Sequence, residues 1–164
     1  MKKILLLSDN HSYIDDRILS YAEAADEIWH AGDIGDLKVT DALAEKAPLK
    51  AVFGNIDNHK ARKEFPLVNR FYCEEVEVLI THIGGYPGKY SPAIREEIQQ
   101  KPPQLFISGH SHILKVMHDK KLRLLHMNPG ACGKHGFHQV RTMLRFTIDG
   151  KKIDNLEVIE LGKR

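Results

Sequence analysis

The feature that most constrains the fold is a series of short apolar runs, each ending in a polar turn. Residues 3–8, 26–31 and 49–53 form such runs, and the segments 13–24 and 37–46 between them have the apolar spacing of helices. Alternating strands and helices predict right-handed crossovers and a largely parallel sheet in this part of the chain. In open α/β sheets the functional site lies at the carboxyl ends of the strands, which is where these turns fall.

The rest of the chain is richer in predicted strands. We predict one helix at 91–100 and strands at 66–72, 75–81, 104–108, 113–118, 122–127, 141–148 and 152–161. Asp149-Gly150, between the last two strands, is a strong signal for a two-residue hairpin turn. A β-rich half that follows a βαβ half predicts an α/β fold of two facing mixed sheets with helices outside, in a single domain over residues 1–164.

Composition excludes several classes of protein. The 164 residues are 42% apolar and 28% charged, which is typical of a globular protein, and the net charge of +2 does not favour a nucleic-acid or membrane surface. Cys73 and Cys132 lie in unrelated contexts and suggest no disulfide framework. The apolar run 4–7 is too short for a signal peptide, and no stretch approaches the ~20 apolar residues of a membrane span. We expect a cytoplasmic location; whether the chain forms a homo-oligomer is left open.

Five polar turns carry side chains of the kinds that bind metals. They are Asp9-Asn10-His11, Gly32-Asp33, Gly54-Asn55-Ile56-Asp57, Thr81-His82 and Gly109-His110-Ser111-His112. Residues i and i+2 of an extended chain point to the same side. Asp9 and His11 can therefore face one cavity, and so can His110 and His112. The resulting set of oxygen and nitrogen ligands comprises Asp9, His11, Asp33, Asn55, His82, His110 and His112.

Seven such ligands exceed what one ion needs, and they suit two divalent ions about 3.5–4 Å apart that share one carboxylate. Two such ions generate a bridging hydroxide at neutral pH and offset the charge that develops on a phosphoryl group. Neither Ser8 nor Cys132 has an evident base as a partner, so we identify no protein nucleophile. Nitrogen and oxygen ligands without thiolate favour Mn, Fe, Zn, Co or Ni over Mg or Ca.

This series of turns resembles the calcineurin-like metallophosphoesterase superfamily, whose pattern runs D-x-H, G-D, G-N-x-[D/E], H and G-H-x-H. Within that superfamily the chain is similar to the small single-domain bacterial and archaeal phosphodiesterase branch. The match spans residues 4 to about 130, and Asn128-Pro129-Gly130 is similar to a turn of that branch. The resemblance implies a four-layer α/β/β/α sandwich, hydrolysis of a phosphate ester, and manganese as the metal.

The resemblance also implies a role for each ligand. One ion would be held by Asp9, His11, Asp33 and His112. The other would be held by Asp33, Asn55, His82 and His110, with Asp33 bridging. Asp33, Asn55 and His82 are therefore the predicted catalytic residues.

One departure from the superfamily pattern affects the mechanism. Many members have a histidine at the third place of the Gly-Asn turn, where it is thought to protonate the leaving group or contact the phosphate, and this chain has Ile56. General acid catalysis is worth roughly 10²–10⁴-fold in rate, so we expect a preference for acidic leaving groups or a different acid. His59 is the candidate acid, with a surface histidine as the alternative. Asp57 is expected to orient a ligand or the turn backbone.

Two further loops have open interpretations. Residues 83–88 replace the Gly-His that many relatives have after the fourth ligand turn, and they form either a substrate pocket in which Tyr86 stacks on a ring or a plain connection. In residues 131–138, Lys134, His135 and His138 either contact a phosphate or have structural roles. We expect structural roles for the remaining histidines His30, His118 and His126.

The leading hypothesis is a cytoplasmic metal-dependent phosphodiesterase that acts on a small-molecule phosphate ester. A phosphomonoesterase with the same site is one alternative. A non-catalytic metal-binding scaffold or interaction module is another, because the same fold serves as a scaffold in the retromer-subunit relative, where the ligand set is altered. The complete ligand set of this chain favours metal binding but leaves the choice between catalyst and scaffold open.

Overall fold

The structure is a computed structural model that describes residues 1–164 and contains twelve strands and four helices. The strands are β1 (Lys2–Leu7), β2 (Glu27–His30), β3 (Leu49–Ala51), β4 (Val68–Cys73), β5 (Val76–Thr81), β6 (Gly85–Tyr86), β7 (Lys89–Tyr90), β8 (Leu105–Ile107), β9 (Leu114–Asp119), β10 (Leu124–Pro129), β11 (Val140–Asp149) and β12 (Lys152–Lys163). The helices are α1 (Asp16–Glu23), α2 (Lys38–Ala44), α3 (His59–Glu64) and α4 (Pro92–Gln100). None of the four helices could span a membrane, since the longest, α4, has nine residues.

Ten of the strands form two mixed five-stranded sheets. The first has the order β12-β11-β1-β2-β3, in which β1, β2 and β3 are parallel and β11 is antiparallel to β1. The second has the order β4-β5-β8-β10-β9, in which β5, β8 and β10 are parallel. Strands β6 and β7 pair only with each other. The predicted parallel pairing of the first three strands is confirmed, and antiparallel strands complete both sheets.

Three apolar clusters define the layers of the molecule. The cluster between the sheets joins side chains such as Leu6 and Trp29 of the first sheet to Ile80 and Ile107 of the second. The outer face of the first sheet packs on α1 and α2, and the outer face of the second packs on α4. This order of helix, sheet, sheet and helix confirms the predicted four-layer sandwich. Burial of both faces of the central parallel strands explains why they are continuous apolar runs.

Two short elements were not predicted from the sequence. Helix α3 has only six residues, of which only Ala61 is buried, so it has no apolar period to detect. Its start is fixed by Asn58, whose side chain accepts a hydrogen bond from the Ala61 amide. The other missed element is the β6–β7 hairpin within residues 85–90, whose strands have two residues each. Both elements lie near the carboxyl ends of the parallel strands.

Candidate metal centre

The five polar turns lie at one edge of the two sheets, directly after β1, β2, β5 and β8 and near the end of β3. The structure brings the side chains of all seven predicted ligands to this edge. Asp9, Asp33 and His82 are buried, with at most 3% of their surface exposed. His11 and His112 are half-buried. The remaining two, Asn55 and His110, are exposed at the rim of the site.

Imidazole nitrogens surround the two aspartate carboxylates. Asp33 Oδ2 lies 3.3 Å from His11 Nε2 and 3.2 Å from His82 Nε2. Asp9 Oδ1 lies 3.1 Å from His112 Nε2 and 3.8 Å from His82 Nε2. Asp33 thus contacts imidazoles from two different turns and lies at the middle of the cluster.

The ligand atoms form two groups, in each of which all atoms lie within 4.8 Å of one another. The first group is Asp9, His11 and His112, and the second is Asp33, His82 and His110. Asn55 joins the second group, because its Oδ1 lies 3.1 Å from His110 Nδ1. The second carboxylate, Asp33, also lies beside His11 of the first group.

The chemistry of the cluster fits divalent cations. Asp9 Oδ1, His11 Nε2 and His82 Nε2 are buried and have no hydrogen-bond partner. The Nδ1 of His82 lies 2.7 Å from the Ala31 carbonyl and donates to it, so in the neutral ring Nε2 carries a lone pair that faces Asp33. Buried acceptors that face each other are unfavourable unless a cation lies between them. This donor set, with nitrogen and oxygen but no thiolate, suits a metal of the Mn-to-Zn series.

Electrostatics within the cluster favour the charged forms. Burial alone would raise the pKa of Asp33, but the adjacent His11 and His82 imidazoles and a hydrogen bond from the Ile56 amide hold that pKa well below its usual range. Burial alone would lower the pKa of His82, yet the Asp33 and Asp9 carboxylates raise it. Both shifts show strong attraction between this carboxylate edge and a positive charge placed beside it.

The backbone of the turns adopts a conformation that most residues avoid. Five ligands have positive φ angles, namely Asp9 (58°), His11 (46°), Asp33 (57°), His110 (71°) and His112 (61°). Non-glycine residues in this left-handed region cost of order 1–3 kcal/mol each, and such residues cluster at functional sites. Gly54 permits the closest approach, because a Cβ at this position would collide with the Asp33 carboxylate. A Cβ at Gly32 would lie 2.7 Å from the His82 ring.

Asp57 and His30 support the turns rather than face the ligand atoms. The Asp57 carboxylate accepts hydrogen bonds from the amides of Ile34, Gly35 and Gly54, so it ties the second turn to the third. His30 Nε2 lies 2.6 Å from Asn10 Oδ1, and its Nδ1 accepts a hydrogen bond from the Gly32 amide. Burial lowers the pKa of His30 to about 4, which keeps this ring neutral.

His138 contacts the predicted ligand His112, a contact that was not predicted from the sequence. Its Nε2 donates to the Gly133 carbonyl at 2.8 Å, which leaves Nδ1 as an acceptor 3.3 Å from His112 Nδ1. His112 therefore donates from Nδ1 and directs an unprotonated Nε2 towards Asp9. Burial lowers the pKa of His138, consistent with a neutral ring. Spacing could not reveal this contact, because it joins residues 26 positions apart.

The Asn128-Pro129-Gly130 turn supports the last ligand turn. Asn128 Nδ2 donates to the Gly109 carbonyl at 3.0 Å and to Ser111 Oγ at 3.1 Å. Its Oδ1 accepts a hydrogen bond from the Gly130 amide at 3.0 Å. The asparagine thus holds the turn that carries His110 and His112.

The remaining candidates are distributed around the rim. Ile56 is 44% exposed beside the centre, and His59 is the exposed first residue of α3, outside both ligand groups. His135 stacks on His11 with 4.7 Å between ring centroids. The ammonium of Lys134 lies over the Tyr13 ring, and Lys115 lies over the ring of Tyr86 in the β6–β7 hairpin.

Comparisons with known proteins identify relatives of this chain. A family model described as the calcineurin-like phosphoesterase superfamily domain matches residues 1–151. A comparison with curated proteins gave no match.

Among solved structures, Vps29 from Chaetomium thermophilum has a TM-score of 0.76 at 15% identity, covering 98% of this chain and 97% of its own. Wild-type Vps29 from Entamoeba histolytica in complex with Zn²⁺ has a TM-score of 0.74 at 15% identity, covering 96% and 98% of the two chains. An archaeal phosphodiesterase has a TM-score of 0.71 at 20% identity, covering 97% and 99%. At these sequence identities the comparison shows that the fold is shared, and it shows the fold alone.

Proposed function

The chain belongs to the calcineurin-like phosphoesterase superfamily, and from this premise we propose that it is a cytoplasmic metal-dependent phosphodiesterase. The observation that carries the proposal is the convergence of the seven predicted ligand side chains, among which three buried polar atoms, Asp9 Oδ1, His11 Nε2 and His82 Nε2, have no hydrogen-bond partner. A small-molecule phosphate ester is the proposed substrate. The archaeal phosphodiesterase with the same fold is consistent with preference for a diester.

Two divalent ions would be shared among these side chains. Asp9, His11, Asp33 and His112 would hold one ion, and Asp33, Asn55, His82 and His110 would hold the other. When bound, the two ions supply an activated water and offset negative charge on the phosphoryl oxygens. We propose manganese; the Zn²⁺ complex of Entamoeba histolytica Vps29 makes zinc the first alternative to test.

The side chains of the protein have positioning roles in this scheme. Asp57, His138 and Asn128 hold the ligand turns and imidazoles in place through the contacts described above. The Ser8 hydroxyl is buried and donates to Asp9 Oδ2 at 2.6 Å, so it is not free to attack a substrate. Burial raises the pKa of Cys132 to about 12, so this thiol stays protonated. Attack by water is therefore favoured over attack by a side chain.

The exposed Ile56 has consequences for the leaving group. It cannot donate a proton, so an ester with a poor leaving group would lack roughly 10²–10⁴-fold of acid catalysis at this position. His59, the first residue of α3 after the third turn, is the proposed candidate acid, and its replacement tests that role. We expect His59→Gln to slow alkyl esters more than p-nitrophenyl esters if His59 protonates the leaving oxygen.

The decisive experiment is hydrolysis of bis-p-nitrophenyl phosphate with added Mn²⁺. The wild type should show activity that Asp33→Asn and His82→Ala lose, because each variant removes a ligand from the buried centre. His118→Gln, on strand β9, is the matched histidine control and should retain activity. Equal rates for the wild type and both ligand variants would reject the proposal. Rates with p-nitrophenyl phosphate decide between diester and monoester preference.

The second candidate is a non-catalytic metal-binding module that docks on another protein. The observation that favours it is the shared fold of this chain and Vps29, one structure of which contains Zn²⁺. Metal analysis of the purified protein followed by a screen of phosphate esters separates the candidates. Two bound ions without turnover of any ester would favour the module.

A further inference from the structure

A depression beside the candidate metal centre has a different chemical character from the centre itself. It has a volume of about 300 Å³ and lies between α3, the start of β4, the end of β5 and the start of α4. Asn55 and His82, two of the predicted ligands, line it. Its apolar lining residues are Phe53, Leu67, Val68, Ile83, Ala93 and Ile94.

Large apolar side chains of this depression remain in contact with solvent. Leu67 is 58% exposed and Ile83 is 42% exposed, and Ile83 directly follows His82 in the chain. Exposed apolar surface that lines a concave site beside convergent polar groups is typical of ligand pockets. Neither residue is needed for the core, because neither belongs to the three buried clusters.

Arg62 and Phe53 form one wall of the depression. The guanidinium of Arg62 lies over the Phe53 ring, with its carbon 4.7 Å from the ring centroid. Arg62 is fixed in this position by hydrogen bonds from its Nε to the Asp57 carbonyl and from its Nη2 to the Asn55 carbonyl. The wall is therefore tied to the same turn that carries Asn55. Planar guanidinium and aromatic groups favour flat ligands.

We propose that this depression binds a flat aromatic group of the substrate, so that the substrate class is a phosphodiester with an aryl or nucleobase-like substituent. The inference rests on the proposed function, in which Asn55 and His82 hold one ion and that ion binds the phosphate. A substituent attached to that phosphate would extend into the depression, because the same two residues line it. A sugar or polyol in the same place would bury less apolar surface against the six apolar lining residues and would gain less from the contact.

The test compares two activated diesters that share the p-nitrophenolate leaving group, namely bis-p-nitrophenyl phosphate and methyl p-nitrophenyl phosphate. We expect the Mn²⁺-loaded wild type to prefer the bis-aryl ester by about tenfold or more in kcat/KM, after a factor of two for its two leaving groups. Ala93→Phe fills the depression and should reduce this ratio several-fold. Gln100→Phe adds the same ring at the other end of α4 and should keep the wild-type ratio.

A second measurement does not depend on turnover. Zn²⁺-loaded protein with labelled isoleucine methyl groups is titrated with phenylphosphonate and, separately, with methylphosphonate. We expect the Ile83 and Ile94 resonances to shift with the phenyl compound and much less with the methyl compound. Ile28, in the core behind the first sheet, is the internal control.

The outcomes separate the two claims. Hydrolysis of both diesters at the same rate, unchanged by Ala93→Phe and without shifts at Ile83, would overturn the aromatic site and leave the phosphodiesterase intact. Absence of hydrolysis of either diester would reject the phosphodiesterase. The methyl shifts alone would then decide whether the depression binds an aromatic phosphonate.

Discussion

Two buried carboxylates lie at opposite ends of strand β2, and their surroundings differ. Glu27 is the first residue of the strand and is 6% exposed, whereas Asp33 follows the last residue by three positions and is 3% exposed. Glu27 accepts hydrogen bonds from Lys2, Lys50 and Trp29 at 3.0, 2.8 and 2.9 Å. Asp33 Oδ2 instead faces two imidazole nitrogens that have no hydrogen-bond partner.

The difference shows that cationic side chains of the protein compensate the charge of Glu27 but not that of Asp33. Burial would raise the pKa of Glu27, but its two lysines and the indole lower that pKa to about 2. Glu27 therefore needs nothing from outside the chain. Asp33 and Asp9 lie instead among imidazole nitrogens, the donor type that divalent metals bind, and no lysine or arginine pairs with either carboxylate. A low pKa alone would not have distinguished Glu27 from the candidate ligand Asp33, whereas the identity of their partners does.

The largest expected effect comes from Asp33→Asn. Asparagine keeps an oxygen that can accept the hydrogen bond from the Ile56 amide, so the fold should persist. Because Asp33 lies beside ligands of both groups, kcat/KM for bis-p-nitrophenyl phosphate should fall roughly 10³-fold or more. The rise in Tm that Mn²⁺ gives the wild type should also disappear, because ligands stabilise only the state that binds them. Calorimetry with and without Mn²⁺ measures this; an unchanged rise would contradict the shared role of Asp33.

His126 is a buried ionisable group that neither pairs with an opposite charge, as Glu27 does, nor faces candidate metal ligands, as Asp33 does. It stays neutral instead. Burial lowers its pKa to about 4, and its Nδ1 lies 3.1 Å from the Phe106 carbonyl. The folded protein thus binds fewer protons than the unfolded chain between pH 6.5 and 4. The contribution of the neutral His126 to the free energy of unfolding should be fully present above pH 6.5. It should fall by up to about 3 kcal/mol as the pH drops to 4.

His126→Phe removes this titration and should flatten the pH dependence of the unfolding free energy over that interval. Urea unfolding at pH 7 and at pH 4.5 measures the change in slope. The exposed His118, on the neighbouring strand β9, is the control, and His118→Phe should leave the slope as it is in the wild type. Equal slopes for His126→Phe and the wild type would show that His126 is not protonated on unfolding.

Local patterns made the sheets and the five ligand turns predictable. The continuous apolar runs of β1 and β2 and the Asp149-Gly150 turn are signals within a few residues of sequence. The convergence of the turns followed from the rule that parallel strands end at one edge. The prediction of which side chains meet was therefore possible, whereas their hydrogen-bond partners were not visible in the sequence.

Features that depend on distant pairs could not be predicted. Strand β11 lies between β1 and β12, although some 130 residues of sequence separate it from β1. The depression beside the metal centre combines Leu67, Ile83 and Ala93, none of which belongs to an apolar repeat shared with the others. The wall formed by Arg62 depends on α3, whose six residues lack a periodic signal. Chain pairing in three dimensions determines each of these features.

Glu27→Gln should lower the stability of the protein and leave its response to Mn²⁺ unchanged, whereas Asp33→Asn should keep the fold and lose that response. Loss of the charge weakens the contacts with Lys2 and Lys50, which should cost roughly 2 kcal/mol of unfolding free energy at pH 7. The contribution of a carboxylate with a lowered pKa is present above its unfolded value of 4.5 and is lost as the pH falls towards 2. The variant should therefore approach the wild type in acid. The rise in Tm with Mn²⁺ should persist, and its loss would remove the distinction between the two carboxylates.

The smallest expected effect concerns His138. It tests whether a residue that contacts a predicted ligand, without being one, changes the metal affinity of the site. Without an acceptor at Nδ1 of His138, the His112 ring loses the partner that fixes its tautomer. His138→Asn keeps an acceptor near the position of Nδ1, while His138→Gln keeps only a donor for the Gly133 carbonyl. We expect His138→Gln to lower the affinity for the weaker of two metal ions about tenfold, and His138→Asn to lower it less.

Titration calorimetry with Zn²⁺ measures both affinities, and the ¹⁵N shifts of His112 in the metal-free protein report its tautomer. The Asn variant should keep the proton of His112 on Nδ1, and the Gln variant should show a mixture of tautomers. If Gln preserved affinity as well as Asn or better, the Gly133 contact and the loop it holds would be the important feature. In that case the acceptor at His138 Nδ1 would not be needed to orient His112. The difference between the metal centre and the surroundings of Glu27 would then depend on the carboxylates and not on the tautomer of His112.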